Sequence, residues 1–220
     1  MPPFSSTEVR DAFAAECRQV AATLASVPSD AWDRPALGQW TLHELVAHLF
    51  RAVTRVDAYL DQPIEVPAGS AEDRSAMPDR ISYFQMDLAG QAAAIAERAR
   101  KDAATLDRDT AAAHFDRAWR ACDARVRALP PDHITTSLRG PMLLDEYLAT
   151  RVVELVVHHM DVRAALDLPP QSDPAAARLT MAILEGLLGG PRPRNLGRTR
   201  FILAATGRVE VDDRRFPVLS

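Results

Sequence analysis

A carboxylate and an imidazole lie four residues apart, at Glu154 and His158, in a run that otherwise has the pattern of a buried amphipathic helix. Residues four apart on a helix occupy the same face, one above the other. Arg151 and Asp161 fall on the same stripe, beside a row of valines. Burying ionisable groups is costly unless each has a partner. A divalent metal ion is one partner that suits a carboxylate and an imidazole together.

A metal site needs a third ligand, and His48 is the best candidate. It lies about two turns inside a second predicted helix, among apolar residues, where a lone imidazole would need a partner. Two alternatives remain open: Glu154 and His158 could be a hydrogen-bonded pair, and His48 a satisfied core histidine. His43 precedes His48 by five residues rather than the four of the zincin motif, so we reject a zincin site. His159 points about 100° away from His158 and is the weaker ligand candidate.

The two other ionisable residues of the stripe are candidates for supporting roles in catalysis. Asp161 lies one turn beyond His158 and could orient a ligand imidazole or bind a polar group of a cofactor. Arg151 could bind an anionic substrate in the same way. The alternative for each of them is a salt bridge within or between helices.

Helices must position these residues, and local signals indicate where the helices begin. Ser5 and Thr41 each precede a glutamate by three residues, the pattern of a capping box at a helix start. Residues 63–78 carry Pro, Gly and Ser without periodicity and are expected to form a long loop. The spacing predicts four main helical regions: residues 6–27, 41–61, 79–129 with a break at 107–110, and 143–166.

The C-terminal stretch has a different pattern. Asp173, followed by a proline, is a good N-cap for a short helix that ends at two glycines. Residues 201–206 and 208–211 are expected to form two short strands, and such a hairpin is rarely stable unless it docks on other structure. The sequence therefore predicts a bundle over residues 1–172 and a small, truncated α/β appendage over residues 173–220.

Composition narrows the class of protein. The chain is 47% hydrophobic and 25% charged, as in ordinary globular proteins, and its net charge of −4 makes nucleic acid an improbable partner. No stretch reaches the roughly 18 apolar residues of a membrane span, and the N-terminus has no pattern of a secretory signal. We expect a cytoplasmic protein that does not bind membranes. Its two cysteines, Cys17 and Cys122, should be buried and reduced.

Two segments resemble a known superfamily. The segment Trp40-Thr-Leu-His-Glu-Leu-Val-Ala-His48 looks like the Trp-Ser/Thr-x-x-x-Leu-x-x-His segment of DinB-like proteins. The segment Arg151-x-x-Glu154-x-x-Val-His158-x-x-Asp161 resembles the branch that includes mycothiol-dependent maleylpyruvate isomerase. The resemblance covers about residues 6–168 and implies a mainly α protein, an up-down-down-up four-helix bundle. It also implies the ligands of one divalent metal ion, usually zinc: His48, Glu154 and His158.

The resemblance further implies a metal-dependent enzyme that uses a small thiol, mycothiol, as an S-transferase or isomerase on a small electrophile. Three protein ligands and an open position are typical of catalytic zinc, and such an ion lowers the pKa of a bound thiol. The alternatives are a hydrolase or lyase that activates water, and a non-catalytic metal- or ligand-binding protein. Established isomerases continue into a larger C-terminal domain than the tail after Ser172 can form. We therefore do not expect maleylpyruvate itself as the substrate, and the short tail could pair in a homodimer.

Overall fold

The computed structural model describes residues 4–64, 77–85 and 92–219. Over these residues the chain is mainly helical. Within these ranges it forms seven α-helices: α1 (Ser6–Ala25), α2 (Leu42–Leu60), α3 (Ala92–Thr105), α4 (Ala111–Ala128), α5 (Leu144–Ala165), α6 (Pro174–Leu188) and α7 (Arg198–Ala205). A short 3-10 helix spans Ser82–Gln85. Two small antiparallel hairpins pair β1 (Pro35–Leu37) with β2 (Trp40–Thr41) and β3 (Ile134–Thr135) with β4 (Met142–Leu143).

The two capping boxes predicted from the sequence open α1 and α2. Ser5 Oγ accepts a hydrogen bond from the Glu8 N–H at 3.2 Å, and Glu8 Oε2 accepts one from the Ser5 N–H at 2.9 Å. Thr41 and Glu44 make the same pair of bonds at 3.3 and 2.9 Å. Each box satisfies two backbone N–H groups that would otherwise lack a partner. The start of α2 is therefore fixed at Thr41.

α5 is the central helix of the described core. α1, α2 and α6 all pack against it, while α4 packs on α1 and α2, and α3 packs on α2. Leu148, Val152, Leu155 and Val156 of α5 are fully buried. Because neighbours cover α5 on several sides, its polar side chains must find partners inside the protein.

Other sequence predictions agree with the structure. The break expected at 107–110 separates α3 from α4. Asp173 Oδ1 caps α6 by accepting hydrogen bonds from the Ala175 and Ala176 N–H groups, and α6 ends at Gly189, whose φ is 75°. Most of the loop expected at 63–78 lies outside the described residues. None of the helices in the described ranges is long and apolar enough to cross a membrane.

The predicted β-hairpin at the C-terminus is wrong. Residues 201–206 lie in and just after α7, and no strand follows Leu143 in the described part of the chain. The buried residues of α7, including Phe201, Ile202 and Ala205, recur at helical spacing because that face packs on the core. Gly207 ends this helix with a φ of 74° and does not form a hairpin turn. Strand propensity is weak, and burial of one helical face overrides it here.

Candidate metal centre

Three of the predicted site residues come together where α2 faces α5. His48, Glu154 and His158 each offer a donor atom, and these atoms all lie within 4.8 Å of one another. The Glu154 Oε2 to His158 Nε2 distance is 3.4 Å, and the His48 and His158 rings meet edge to face with centroids 4.9 Å apart. Zinc bonds of about 2.0–2.2 Å place tetrahedral donors roughly 3.4 Å apart. The Glu154–His158 distance matches that spacing, and the 4.8 Å limit places His48 near enough to share an ion after a small adjustment.

His48 is held by ring contacts. The Trp40 ring lies 4.8 Å from the His48 ring, centroid to centroid. His48 Nδ1 is buried and has no hydrogen-bond partner among the described residues. Burial, reinforced by the positive charge of His158, lowers the pKa of His48 to about 4. His48 is therefore a neutral imidazole at pH 7, the form that binds a metal.

His158 is held by hydrogen bonds to carboxylates on its own helix. Its Nδ1 lies 3.0 Å from Asp161 Oδ2, and because an ionised carboxylate only accepts, Nδ1 carries the proton and donates. Burial disfavours the imidazolium, but the contacts with Asp161 and Glu154 outweigh burial and raise the pKa of His158 to about 9.

Glu154 completes the group from α5. Burial favours its neutral form, but the hydrogen bond from His158 and the charge of Arg151 prevail and lower the pKa of Glu154 to about 2. Its side chain keeps 27% of its surface exposed, whereas that of His158 keeps 11%. At neutral pH, without an ion, a protonated His158 therefore lies between two carboxylates.

The donor group lies within a recognised domain. The family model for the mycothiol maleylpyruvate isomerase N-terminal domain matches residues 13–163. This chain belongs to that family. The resemblance seen in the two sequence segments is thereby confirmed, and the matched range contains all three donors. Comparison with curated proteins and with solved structures found no significant match.

Asp161, near the end of the family domain, is bound by an arginine that lies beyond it. Arg208 donates from Nε to Asp161 Oδ1 at 3.1 Å and from Nη2 to Oδ2 at 2.8 Å. Asp161 is 6% exposed. Burial disfavours its charge, but the hydrogen bonds from His158 and Arg208 lower the pKa of Asp161 below its usual value. The sequence patterns single out Asp161 but miss Arg208 as a site residue. The two residues are 47 positions apart, and local spacing does not predict a contact over that separation.

Arg151 lies on the predicted stripe within the family domain and is 9% exposed. Its guanidinium lies over the rings of Tyr83 and Tyr147, 5.3 and 5.0 Å from their centroids, and Nε donates to Thr150 Oγ1 at 3.1 Å. No ion pair within 4.0 Å is found for Arg151 in the described ranges, so the salt bridge considered for it is absent there. Its charge is stabilised by aromatic faces and by the nearby Glu154.

His159 is a core histidine of the family domain with both ring nitrogens satisfied. Nδ1 lies 2.7 Å from Glu16 Oε1, and Nε2 lies 2.8 Å from Thr23 Oγ1. It therefore joins α5 to α1 and has no nitrogen left for an ion. Both cysteines are fully buried, as expected, and burial raises the pKa of the Cys17 and Cys122 thiols far above the ordinary value.

A cavity lies beside the Asp161–Arg208 pair. Its volume is about 670 Å³, and its walls include β1, α5, α7 and the segment after α7. Most of its lining is apolar, from residues such as Leu37, Met160 and Leu203. Cavities of this size and character are typical of small-molecule sites.

Proposed function

We propose that this protein is a metal-dependent enzyme that uses a low-molecular-weight thiol, mycothiol, as an S-transferase or isomerase on a small electrophile. The observation that carries the proposal is the group of three donors on α2 and α5. The description of the family, which names both mycothiol and an isomerase, favours thiol chemistry over activation of water.

His48, Glu154 and His158 would hold the ion, and zinc is the expected metal. Two imidazoles and one carboxylate are a common donor set for catalytic zinc, which keeps a position open for a substrate atom. An ion held by these residues supplies a Lewis acid that lowers the pKa of a thiol and makes its thiolate available at neutral pH. Buried His48 Nδ1 lacks a hydrogen-bond partner among the described residues, which is expected at a site that a bound group completes.

Other residues of the chain would orient and attract the reactants. Asp161 fixes the ring of His158, and Arg151 contributes a positive charge close to Glu154, where it can attract an anionic substrate. Neither Cys17 nor Cys122 can serve as the nucleophile, because both are buried thiols with raised pKa values. The nucleophilic sulfur must therefore come from outside the chain. Isomerisation and S-transfer share this first step: the sulfur bonds to the electrophile while the π bond of an activated double bond, or the bond to a leaving group, breaks.

The finer architecture belongs to the same proposal. We assign the up-down-down-up bundle of the DinB-like type to residues 1–172, built from α1, α2, the α3–α4 region and α5. The residues from 173 onward form an appendage. The packing of α1 and α2 on α5 supports this arrangement.

Metal analysis of the purified protein tests the donor assignment. We expect about one ion per chain in the wild type and in a His114→Ala control, since His114 is exposed and lies outside the donor group. His48→Ala and Glu154→Ala should each lose most of the ion, because two remaining ligands rarely retain zinc. Full occupancy in both site variants would refute the assignment.

Assays with and without thiol separate the three candidate functions. A thiol-dependent enzyme forms a thiol adduct, or isomerises its substrate, only when both metal and mycothiol are present. Turnover that needs metal but is indifferent to thiol would instead identify a hydrolase or lyase. Tight zinc binding without turnover on a panel of aryl halides and α,β-unsaturated carbonyl compounds would identify a binding protein.

A further inference from the structure

Arg208 connects the segment after α7 to a candidate metal ligand. Its Nε and Nη2 donate two nearly parallel hydrogen bonds to Asp161, and Asp161 Oδ2 also accepts from His158 Nδ1. Nη1 of the same guanidinium donates to the Thr206 carbonyl oxygen. All three nitrogens of Arg208 are thus engaged, and its orientation is strongly restricted.

The backbone also fixes Arg208. At the end of α7, the Gly207 N–H donates to Ala204 O at 3.1 Å and the Arg208 N–H donates to Leu203 O at 2.7 Å. With the positive φ of Gly207, these bonds form a Schellman motif. The buried Phe201 and Ile202 hold α7 against the core. The guanidinium is therefore presented to Asp161 from a rigid helix end.

We infer that Arg208 is a positioning residue of the metal centre, acting through Asp161 to fix the tautomer and the ring orientation of His158. The inference rests on the proposed function. A histidine that binds a metal commonly donates its other N–H to a carboxylate, and partners of this kind tune metal affinity. A carboxylate held by two bonds from one arginine cannot rotate away from the ring.

The alternative is that the Arg208–Asp161 pair only docks the C-terminal segment. The two roles differ in what they change. Docking alone would affect the free energy of unfolding and leave the geometry of a bound ion unaltered. Positioning would change metal affinity and the coordination geometry even in a protein that remains fully folded.

The test uses the full chain and two readouts: the zinc Kd, from competition with a chromophoric chelator, and the visible absorption spectrum of the Co²⁺-loaded protein. Arg208→Met should weaken zinc binding about 10–100-fold and alter the Co²⁺ bands. Arg215→Met is the matched control, because Arg215 makes a similar two-bond pair with Asp213 in the same segment, away from His158. It should change neither readout. In an Asp161→Asn background, Arg208→Met should add little, since both changes break the same connection.

Wild-type zinc affinity and Co²⁺ spectrum in Arg208→Met would overturn the inference, as would equal weakening by Arg215→Met or additive effects with Asp161→Asn. If Arg208→Met does not fold, Arg208→Lys replaces it as the test variant. Lysine keeps the charge but cannot make both hydrogen bonds to Asp161, so zinc binding should weaken and the Co²⁺ spectrum should shift. Wild-type values in Arg208→Lys would then overturn it. A wild-type protein that binds no ion would refute the proposed function and the inference together, whereas zinc binding that is insensitive to Arg208 refutes the inference alone.

Discussion

A proton and a metal ion compete for the same nitrogen of His158. Nδ1 donates to Asp161, so Nε2, which faces Glu154, must provide the lone pair for an ion. In the metal-free protein, two carboxylates raise the pKa of this imidazole to about 9. The metal-free site therefore keeps its proton at neutral pH and must lose it when an ion binds.

Zinc binding should release close to one proton per chain between pH 7 and 8. His158 is protonated below its pKa of about 9, and the protonated ring cannot bind, so the apparent zinc affinity should fall as pH drops. Above pH 9 that dependence should level off. Calorimetry in buffers of different ionisation enthalpy measures the proton count. Asp161→Asn, which removes a contact that raises the pKa of His158, should release fewer protons. Binding without proton release at pH 7 would show that the ring is already neutral.

Arg151 should affect catalysis through the charge of the substrate. Replacing it with Met removes a buried cation near Glu154, and hydrogen bonds to charged groups contribute about 1.5–3 kcal/mol, so kcat/KM for an anionic electrophile should fall roughly 10–100-fold. A neutral electrophile of similar size should react nearly as before. Arg151→Lys keeps the charge, so its kcat/KM for the anionic electrophile should fall less than that of Arg151→Met. Equal losses for both electrophiles would assign Arg151 to the packing of Tyr83 and Tyr147 instead.

At the scale of elements, the sequence predicts the features that depend on neighbouring residues. It does not predict those that depend on tertiary packing. Capping boxes involve residues three apart, so the starts of α1 and α2 could be predicted from the sequence. The stripe on α5 could be predicted for the same reason. The end of α7 could not, because a glycine between apolar segments suits a hairpin turn as well as a helix end, and only packing distinguishes them.

The capping box of α2 should matter for the site as well as for stability. Thr41→Ala removes the side chain that accepts from the Glu44 N–H and should lower the free energy of unfolding by about 0.5–2 kcal/mol. Because Thr41 fixes the start of the helix that carries His48, zinc affinity should fall too. Ser5→Ala is the matched control, since it breaks the same motif on α1, which carries no donor. Thermal melts and zinc titrations measure both effects. If the two variants lower the Tm and the zinc affinity by similar amounts, the capping box of α2 has a role in stability only.

At the scale of the whole molecule, the three donors lie on two helices that are far apart in sequence and share one core. α2 and α5 pack against each other, and both contribute buried side chains to the core, among them Leu49, Val53, Leu148 and Val152. Each of the two helices could be predicted from its own sequence pattern, but periodicity does not say which faces meet. The expectation that His48 meets Glu154 and His158 rests instead on ligand chemistry and on the family resemblance. The position of His48 opposite Glu154 and His158 is thus a product of the tertiary fold.

An ion shared between α2 and α5 should stabilise the folded protein, because the unfolded chain does not keep the three donors together. Free zinc at about 100 times its Kd should add about 2.7 kcal/mol to the free energy of unfolding. For a chain of this length the Tm should rise by roughly 5–10 °C, at about 2–4 °C per kcal/mol. Thermal melts with zinc and with a chelator measure the gain. His48→Ala should lose nearly all of it, because the ligand it removes is the one that α2 contributes, whereas His114→Ala should retain it. A gain of equal size in His48→Ala would mean that the ion binds elsewhere on the protein and that α2 and α5 are held together by their packing alone.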